Sequence, residues 1–440
     1  MATQTPLPTD EPIIVEIESL LLDGRGVGHI EGKAVFVAGA LPGETVSIGF
    51  TRRKRKLDEA VVEEVITPSE QRVEPRCSIF GTCGACSLQH FDADAQIREK
   101  QQILLDNLER IGHVTPQDVI EPLTSETWGY RQKARLSVRN VHKKGKVLVG
   151  FREKKSRYVA ETERCEVLDP RVGQKIPQLA ALIASLSIVN DVPQIEVASA
   201  DDNVALVFRV MSPPTDDDIA LLVAFAGEHG YQIYLQRKGP DVLEPIGDAP
   251  EFLTYTLPDH DVSIEFTATD FTQVNGKLNR KMINRAIEKL AVQSGDDILE
   301  LFCGLGNFSL PIARQVNSLV GIEGAESLVA RAKQNALRNG IGNTEYFTCD
   351  LTGDRHNEAW MGRKYHKVFL DPPRTGALEV MPWLGKLKPE RIVYVSCNPA
   401  TLARDAGILV NELGYTLTEA GVMDMFPHTA HVESIAVFVR

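Results

Sequence analysis

Cysteines carry most of the chemistry that residue types and spacing announce in this chain. Cys397 follows the apolar run Val393-Tyr394-Val395-Ser396, which reads as a strand. It precedes Asn398-Pro399, which open a helix through Leu409 with Asn398 as N-cap and Pro399 at the first helical position. A thiol just ahead of a helix N-terminus lies where thiolate is electrostatically favoured, so Cys397 is a candidate nucleophile; the plain alternative is a buried cysteine at a strand end. Cys77, Cys83 and Cys86, spaced Cys-x5-Cys-x2-Cys beside Gly81 and Gly84, have the density of a metal or cluster site. Cys165 is the only other cysteine in the N-terminal half that could complete a set of four. Structural zinc usually shows two CxxC units, so the three-plus-one arrangement suits a four-cysteine iron–sulfur cluster better, with zinc left open. The spacing also differs from the CxxxCxxC of radical enzymes, which favours a closed structural cluster.

A reactive thiol needs a cofactor and a substrate brought to it, and the region from about residue 265 reads as the α/β layer that would do so. The spacing predicts a helix over 276–290, with Leu278, Met282, Ala286 and Leu290 at intervals of four. Asp297-Ile298-Leu299-Glu300-Leu301-Phe302 reads as a buried parallel strand, and Cys303-Gly304-Leu305-Gly306-Asn307-Phe308 turns from it into a helix. Gly304 and Gly306 let the backbone pass close to a ligand. The next strand ends in Glu323, nineteen residues after Gly304, where a carboxylate can bind both ribose hydroxyls. Strand ends at Asp350 and Asp371-Pro372-Pro373 complete a crevice. NAD enzymes share the glycine pattern, but the third glycine of their fingerprint is absent and no pyrophosphate-binding turn is evident. S-adenosylmethionine is therefore the better ligand. In amino-group methylation an aromatic residue usually follows the two prolines; Arg374 stands there instead and points elsewhere.

Carbon 5 of a uracil ring is a poor nucleophile toward a methyl sulfonium. Thiolate addition at carbon 6 converts the ring into an enolate whose carbon 5 can attack, and a base must then take the carbon 5 proton so that the thiol can leave. Glu433 opens a final strand beside the same crevice and is a candidate base. His428 and His431, just upstream, either share this work or satisfy backbone groups.

At 440 residues the chain has room for about three domains, and its hydrophobic and charged fractions, 43% and 25%, are those of a globular protein. Residues 1–12 lack the apolar core of a signal peptide and no apolar run spans a bilayer, which implies a cytoplasmic protein without membrane contact. Seven cysteines, odd and unevenly spaced, argue against a disulfide framework. A net charge of −12 excludes a uniformly basic coat, yet Lys and Arg cluster at 52–56, and eleven of them lie between Arg131 and Arg157 against one acid. Residues 13–67 read as four or five short strands punctuated by glycine, a small barrel of the kind that holds single-stranded nucleic acid, with the first basic cluster in a turn. A helix is predicted over 92–113 with Ile97, Leu104, Leu108 and Ile111 on one face. Lys144-Gly145 reads as a hairpin turn, and residues 170–260 alternate helical and strand-like runs with no chemical motif.

Taken together and in order, the barrel, the Cys77/Cys83/Cys86 loop with Cys165, FTQVN, LFCGLGNF and DPPR…SCNP…HVE resemble the 23S ribosomal RNA uracil-5-methyltransferases that carry a TRAM barrel and a 4Fe–4S cluster, from about residue 13 to the C-terminus. The resemblance implies a multidomain α/β protein. It would comprise a TRAM barrel (13–67), an α+β iron–sulfur and RNA-binding domain (68–91 and 114–262), and a Rossmann-like class I methyltransferase domain (92–113 and 263–440). It implies Cys397 as nucleophile and Glu433 as base. Cofactor contacts fall on Gln273, Phe302, Asn307, Glu323, Asp350 and Asp371, and cluster ligands on Cys77, Cys83, Cys86 and Cys165. The partner would be a looped, single-stranded region of 23S ribosomal RNA with its uridine flipped out, bound by a monomer. Arg52, Arg53, Lys54, Arg131, Lys133 and Arg135 are the expected RNA contacts. A tRNA uridine, another ribosomal uridine, or a role as an RNA-binding assembly factor are the alternatives.

Overall fold

The computed structural model describes residues 12–239, 242–351 and 358–440, so all of the polar stretch read at residues 1–12 except Pro12 lies outside the described residues. Six strands form the first unit, side by side in the order Ile13–Glu16, Thr45–Arg53, Leu57–Thr67, Lys33–Ala38, Gly26–Ile30 and Ser19–Leu20. The first and last of these are consecutive in the chain, so the sheet closes on itself. Ile17 N donates to Glu44 O at 2.9 Å and Glu18 N to Val27 O at 2.8 Å across the seam. Gly28 sits there because an added Cβ would lie 2.4 Å from the Glu16 carbonyl oxygen. Val15, Val35, Val37, Val46, Ile48 and Phe50 fill the interior, where each large side chain stabilises by about 1.5–3 kcal/mol. The strand that begins at Thr45 runs on to Arg53, pairing Arg52 with Glu59 and Arg53 with Asp58. Arg52 and Arg53 therefore lie in a strand, and only 54–56 form the turn expected for the whole basic cluster.

A second six-stranded sheet has the order Leu243–Ile246, Tyr231–Gln236, Val204–Arg209, Gln194–Ser199, Lys133–Val141 and Lys146–Gly150. The last two strands are the expected hairpin, turned at Gly145 with φ 63°. One face of the sheet (Leu136, Val197, Leu206, Ile233) packs on the helices Ile176–Ser185 and Asp216–His229. The other (Ala205, Val207, Tyr234) joins the buried cluster that contains Leu278 and Met282.

The third sheet has eight strands: Thr344–Thr348, Ser318–Glu323, Asp297–Leu301, Lys367–Leu370, Arg391–Ser396, Glu433–Val439, Thr416–Met423 and Asp118–Val119. The first five are parallel, and Glu433–Val439 runs against its neighbours on both sides. Helix Gly276–Leu290, capped by the Asn275 side chain on Leu278 N, buries Leu278, Met282, Ala286 and Leu290 as their spacing predicts. The strand Asp118–Val119 and helix Ala93–Asn107, far earlier in the chain, also belong to this layer. The helix places Leu104 and Leu108 in one cluster with Leu402, Ala403 and Leu417. Its approach to helix Pro399–Asn411 is so close that a Cβ on Gly112 would lie 2.4 Å from Ala403 O. Ile111 leaves the predicted face and is exposed, because the helix widens to a π-turn over Leu108–Gly112 and the added residue rotates the stripe away.

Candidate active site

The sheet order reverses between Asp297–Leu301 and Lys367–Leu370, and ligands bind at such a switch point outside the carboxyl ends of the strands. Phe302 leaves the first of these strands with φ 65°, a left-handed backbone rare for an aromatic residue, and Gly304 and Gly306 follow at 54° and 98°. Glu323 binds this turn from the neighbouring strand: its carboxylate accepts from Gly304 N at 3.1 Å and from Ala325 N at 3.0 Å. Asn307 and Asn279 exchange two amide hydrogen bonds, each 2.9 Å, and the Tyr255 hydroxyl donates to Asn307 Oδ1. From the other side of the crevice Gln273 Nε2 reaches Asp371 Oδ2 at 3.5 Å. Asp350 is exposed, just past the end of the strand Thr344–Thr348.

Cys397 and Glu433 are far apart in sequence but adjacent in the sheet. The antiparallel register pairs Ser396 with Ser434, so the next residues outward on the two strands are Cys397 and Glu433, side by side at the end of the ladder. Ser434 Oγ donates to Ser396 O at 2.9 Å and Asn398 Oδ1 accepts from Ala400 N at 3.1 Å, which fixes the strand end and starts the helix behind the thiol. Burial pushes the Cys397 thiol above its ordinary range; Glu433 and Asp371 push it the same way, and Arg374 opposes them. The expectation of a favoured thiolate is not met in the free protein, where desolvation and two flanking carboxylates raise the thiol. Glu433 is 4% exposed, and burial together with Asp371 raises its carboxyl well above the usual range. Burial lifts Asp371 to about 7 and Glu300, below the crevice floor, to about 8.

Two ionisable groups of this region, one beside the thiol and one within the strand Asp297–Leu301, carry no role in the sequence reading. Arg374, the residue after the two prolines, bears on both Cys397 and Glu433, and its carbonyl accepts from Asn398 Nδ2 at 3.0 Å. The unusual residue after DPP was the available signal. Glu300 gave none, since a carboxylate within an apolar strand reads as a strand residue. Of the two histidines, His431 lies against Arg374 (Nη2 to Nδ1 3.1 Å), whereas His428 stacks on Trp128 with ring centroids 3.9 Å apart. Burial, first, and Lys100 lower the buried His428 to about 4, so it is neutral near pH 7; His431 is exposed, and its remaining burial and Arg374 beside it act in the same direction.

Cys77, Cys83, Cys86 and Cys165 line one cavity with Ile79, Phe80 and Gln89. Burial, reinforced by the other cysteines, pushes Cys86 to about 12 and Cys165 to about 11. Among the described residues, no three metal-ligating side chains are drawn to coordinating spacing. The basic residues divide in two. Arg52, Arg53, Lys54 and Arg135 are exposed, with Arg53 paired to Asp58, Lys54 to Glu59 and Arg135 to Glu196. Lys133 instead turns its ammonium to Ala268 O (2.6 Å) and Asp270 O (2.7 Å), and Gln132 N donates to Val274 O, so this strand braces the loop that carries Gln273. Arg131, half-buried, lies over the Phe151 ring. No helix among the described residues is long and apolar enough to cross a membrane.

A family profile described as tRNA (Uracil-5-)-methyltransferase matches residues 92–440, and a TRAM domain profile matches residues 11–57. The chain is 53% identical over 432 residues to the 23S rRNA (uracil(1939)-C(5))-methyltransferase RlmD of Xanthomonas oryzae, covering 98% of this chain and 97% of the relative. It is 51% identical over 435 residues, with the same coverage, to the protein of that name from Alkalilimnicola ehrlichii. In fold it is similar to the crystal structure of Pyrococcus abyssi tRNA (uracil-54, C5)-methyltransferase in complex with S-adenosyl-L-homocysteine: TM-score 0.74, 23% identity, 97% of this chain and 100% of that one. The chain belongs to the RNA uracil-5-methyltransferase family, its class I methyltransferase fold joined to an N-terminal TRAM domain.

Proposed function

We propose that this protein methylates carbon 5 of one uridine in 23S ribosomal RNA, the uridine numbered 1939 in the names of its relatives, through a covalent Cys397 adduct. The observation that carries the reading is the ladder register that sets Cys397 beside Glu433 next to Asp371. S-adenosylmethionine would be held by Gln273, Phe302, Asn307, Glu323, Asp350 and Asp371 and would supply the electrophilic methyl group, its S–CH3 bond breaking to leave S-adenosylhomocysteine. Cys397 Sγ adds to carbon 6 of the flipped base, and the electron pair of the C5–C6 bond moves toward the ring carbonyl so that carbon 5 becomes nucleophilic. After transfer, Glu433 takes the carbon 5 proton, the pair from that C–H bond restores C5–C6, and the C6–S pair leaves with Cys397. Arg374 favours the thiolate. The protein works as a monomer in the cytoplasm, on a loop from which the base can leave its stack at a cost of about a few kcal/mol.

The test is incubation with 5-fluorouridine-substituted 23S rRNA fragments and S-adenosylmethionine, followed by a denaturing gel. Fluorine at carbon 5 blocks the final proton abstraction, so a Cys397-dependent covalent band is expected, and mapping it names the base. RNA bound under native conditions without any covalent band would overturn the reading.

The four cysteines fit a cluster by donor chemistry: soft thiols lining one cavity, with burial holding Cys86 and Cys165 above their ordinary range unless a cation neutralises them. Cys77, Cys83, Cys86 and Cys165 would hold a 4Fe–4S cluster that keeps this domain in shape. Anaerobically purified protein is expected to contain iron and acid-labile sulfide in equal amounts, lost together in Cys165→Ser. Stoichiometric zinc without sulfide would refute this assignment.

The RNA contacts are assigned to Arg52, Arg53, Lys54, Arg131 and Arg135, while Lys133 serves the cofactor loop. Replacing Arg52 and Lys54 with alanine is expected to weaken RNA binding and make the log–log salt slope shallower by about 2. An unchanged slope would remove the barrel from the interface.

A further inference from the structure

The turn between Met423 and Glu433 is held from outside itself at three successive carbonyls. Phe426 O accepts from Lys100 Nζ at 3.0 Å and Pro427 O from the Tyr130 hydroxyl at 3.0 Å. His428 O accepts from both Ser87 N (2.9 Å) and Leu88 N (3.0 Å), the two amides that follow Cys86. On its other side, His428 N donates to Gln96 Oε1 at 2.9 Å. Gln96 is itself 1% exposed, and its Nε2 is bound to Leu88 O and Phe91 O. His428 has φ 62°, a conformation a β-carbon disfavours, and such a residue persists where its surroundings over-determine it. All of these bonds converge on the segment that ends in Glu433.

We propose that Gln96 and Tyr130, with the amides after Cys86, are positioning residues for Glu433, setting the carboxylate where it reaches the carbon 5 proton. This inference rests on the covalent reading above. Loosening the turn should then slow the second half of the reaction, in which C5–H and C6–S break and C5–C6 is restored, while leaving the addition of Cys397 and methyl transfer intact. A residue that serves stability alone would slow both halves or neither.

The experiment is a single-turnover reaction of the full chain with natural, unfluorinated 23S rRNA fragment, sampled on a denaturing gel. Gln96→Leu is expected to accumulate a methylated covalent complex that the wild type passes through without build-up, with release slowed about 10- to 100-fold and KM for RNA unchanged. Gln96→Glu, which keeps the acceptor for His428 N, should recover part of the release rate. Tyr130→Phe removes a single hydroxyl and keeps the packing, so it tests the same point if Gln96→Leu does not fold. Release at the wild-type rate in Tyr130→Phe and in a folded Gln96→Leu, with adduct formation on 5-fluorouridine RNA also normal, would overturn the inference. Absence of the fluorouridine adduct in the wild type would instead remove the reading beneath it.

Discussion

Cys397→Ala is expected to lower methyl transfer by at least about 10^4-fold, the scale seen when a covalent nucleophile is deleted, and to abolish the 5-fluorouridine adduct. The variant should retain its fold and its RNA affinity, because Cys397 lies after the last ladder residue and the strand end is held by Ser396, Asn398 and Ser434 rather than by the thiol. The loss should therefore appear in turnover and not in binding. Since burial and the Glu433 and Asp371 carboxylates keep the thiol above its ordinary range in the free protein, iodoacetamide should alkylate Cys397 slowly near pH 7 and faster as pH rises. Single-turnover assays with labelled methyl donor measure the first effect. Residual transfer within tenfold of wild type would exclude Cys397 as nucleophile.

Much of this site was legible because the chemistry is written in local strings. Asn398-Pro399 after an apolar strand marked a turn, and the helix does start at Pro399 with Asn398 as its cap. The four-residue spacing of Leu278, Met282, Ala286 and Leu290 marked a buried face that the structure keeps. What could not be read was long-range register. Glu433 could be read as opening a strand beside the crevice, but that its direct neighbour is Cys397 follows only from the pairing of Ser396 with Ser434. Nor does local charge reveal direction. Lys133 sits in a run of basic residues that reads as an RNA surface, yet alternation along its strand and two nearby carbonyls turn its ammonium inward. The thiol follows the same rule: a helix N-terminus is a local feature, whereas the desolvation and the two carboxylates that raise Cys397 are assembled from distant strands.

Glu433→Gln is expected to slow resolution of the adduct by about 10^2- to 10^4-fold, the usual worth of a general base, so that natural RNA becomes trapped on Cys397. Methyl transfer itself should survive, giving one methyl per trapped chain. The same change should stabilise the protein. Burial and Asp371 raise the folded-state carboxyl of Glu433, so its contribution to stability is fully present below the unfolded carboxyl value of about 4.3 and is lost as pH rises through the raised folded value. A neutral amide of similar shape escapes that loss. The melting temperatures of Glu433→Gln and wild type should then agree in mild acid and separate with rising pH, the variant higher. Release by wild type should quicken over the same rise, because only the ionised carboxylate can accept the proton. Crevice carboxylates kept close together and out of water thus cost the fold stability at the pH where one of them serves as a base. A variant that melts below wild type at every pH, or that releases product normally, would show that Glu433 holds the strand end and that another group takes the proton.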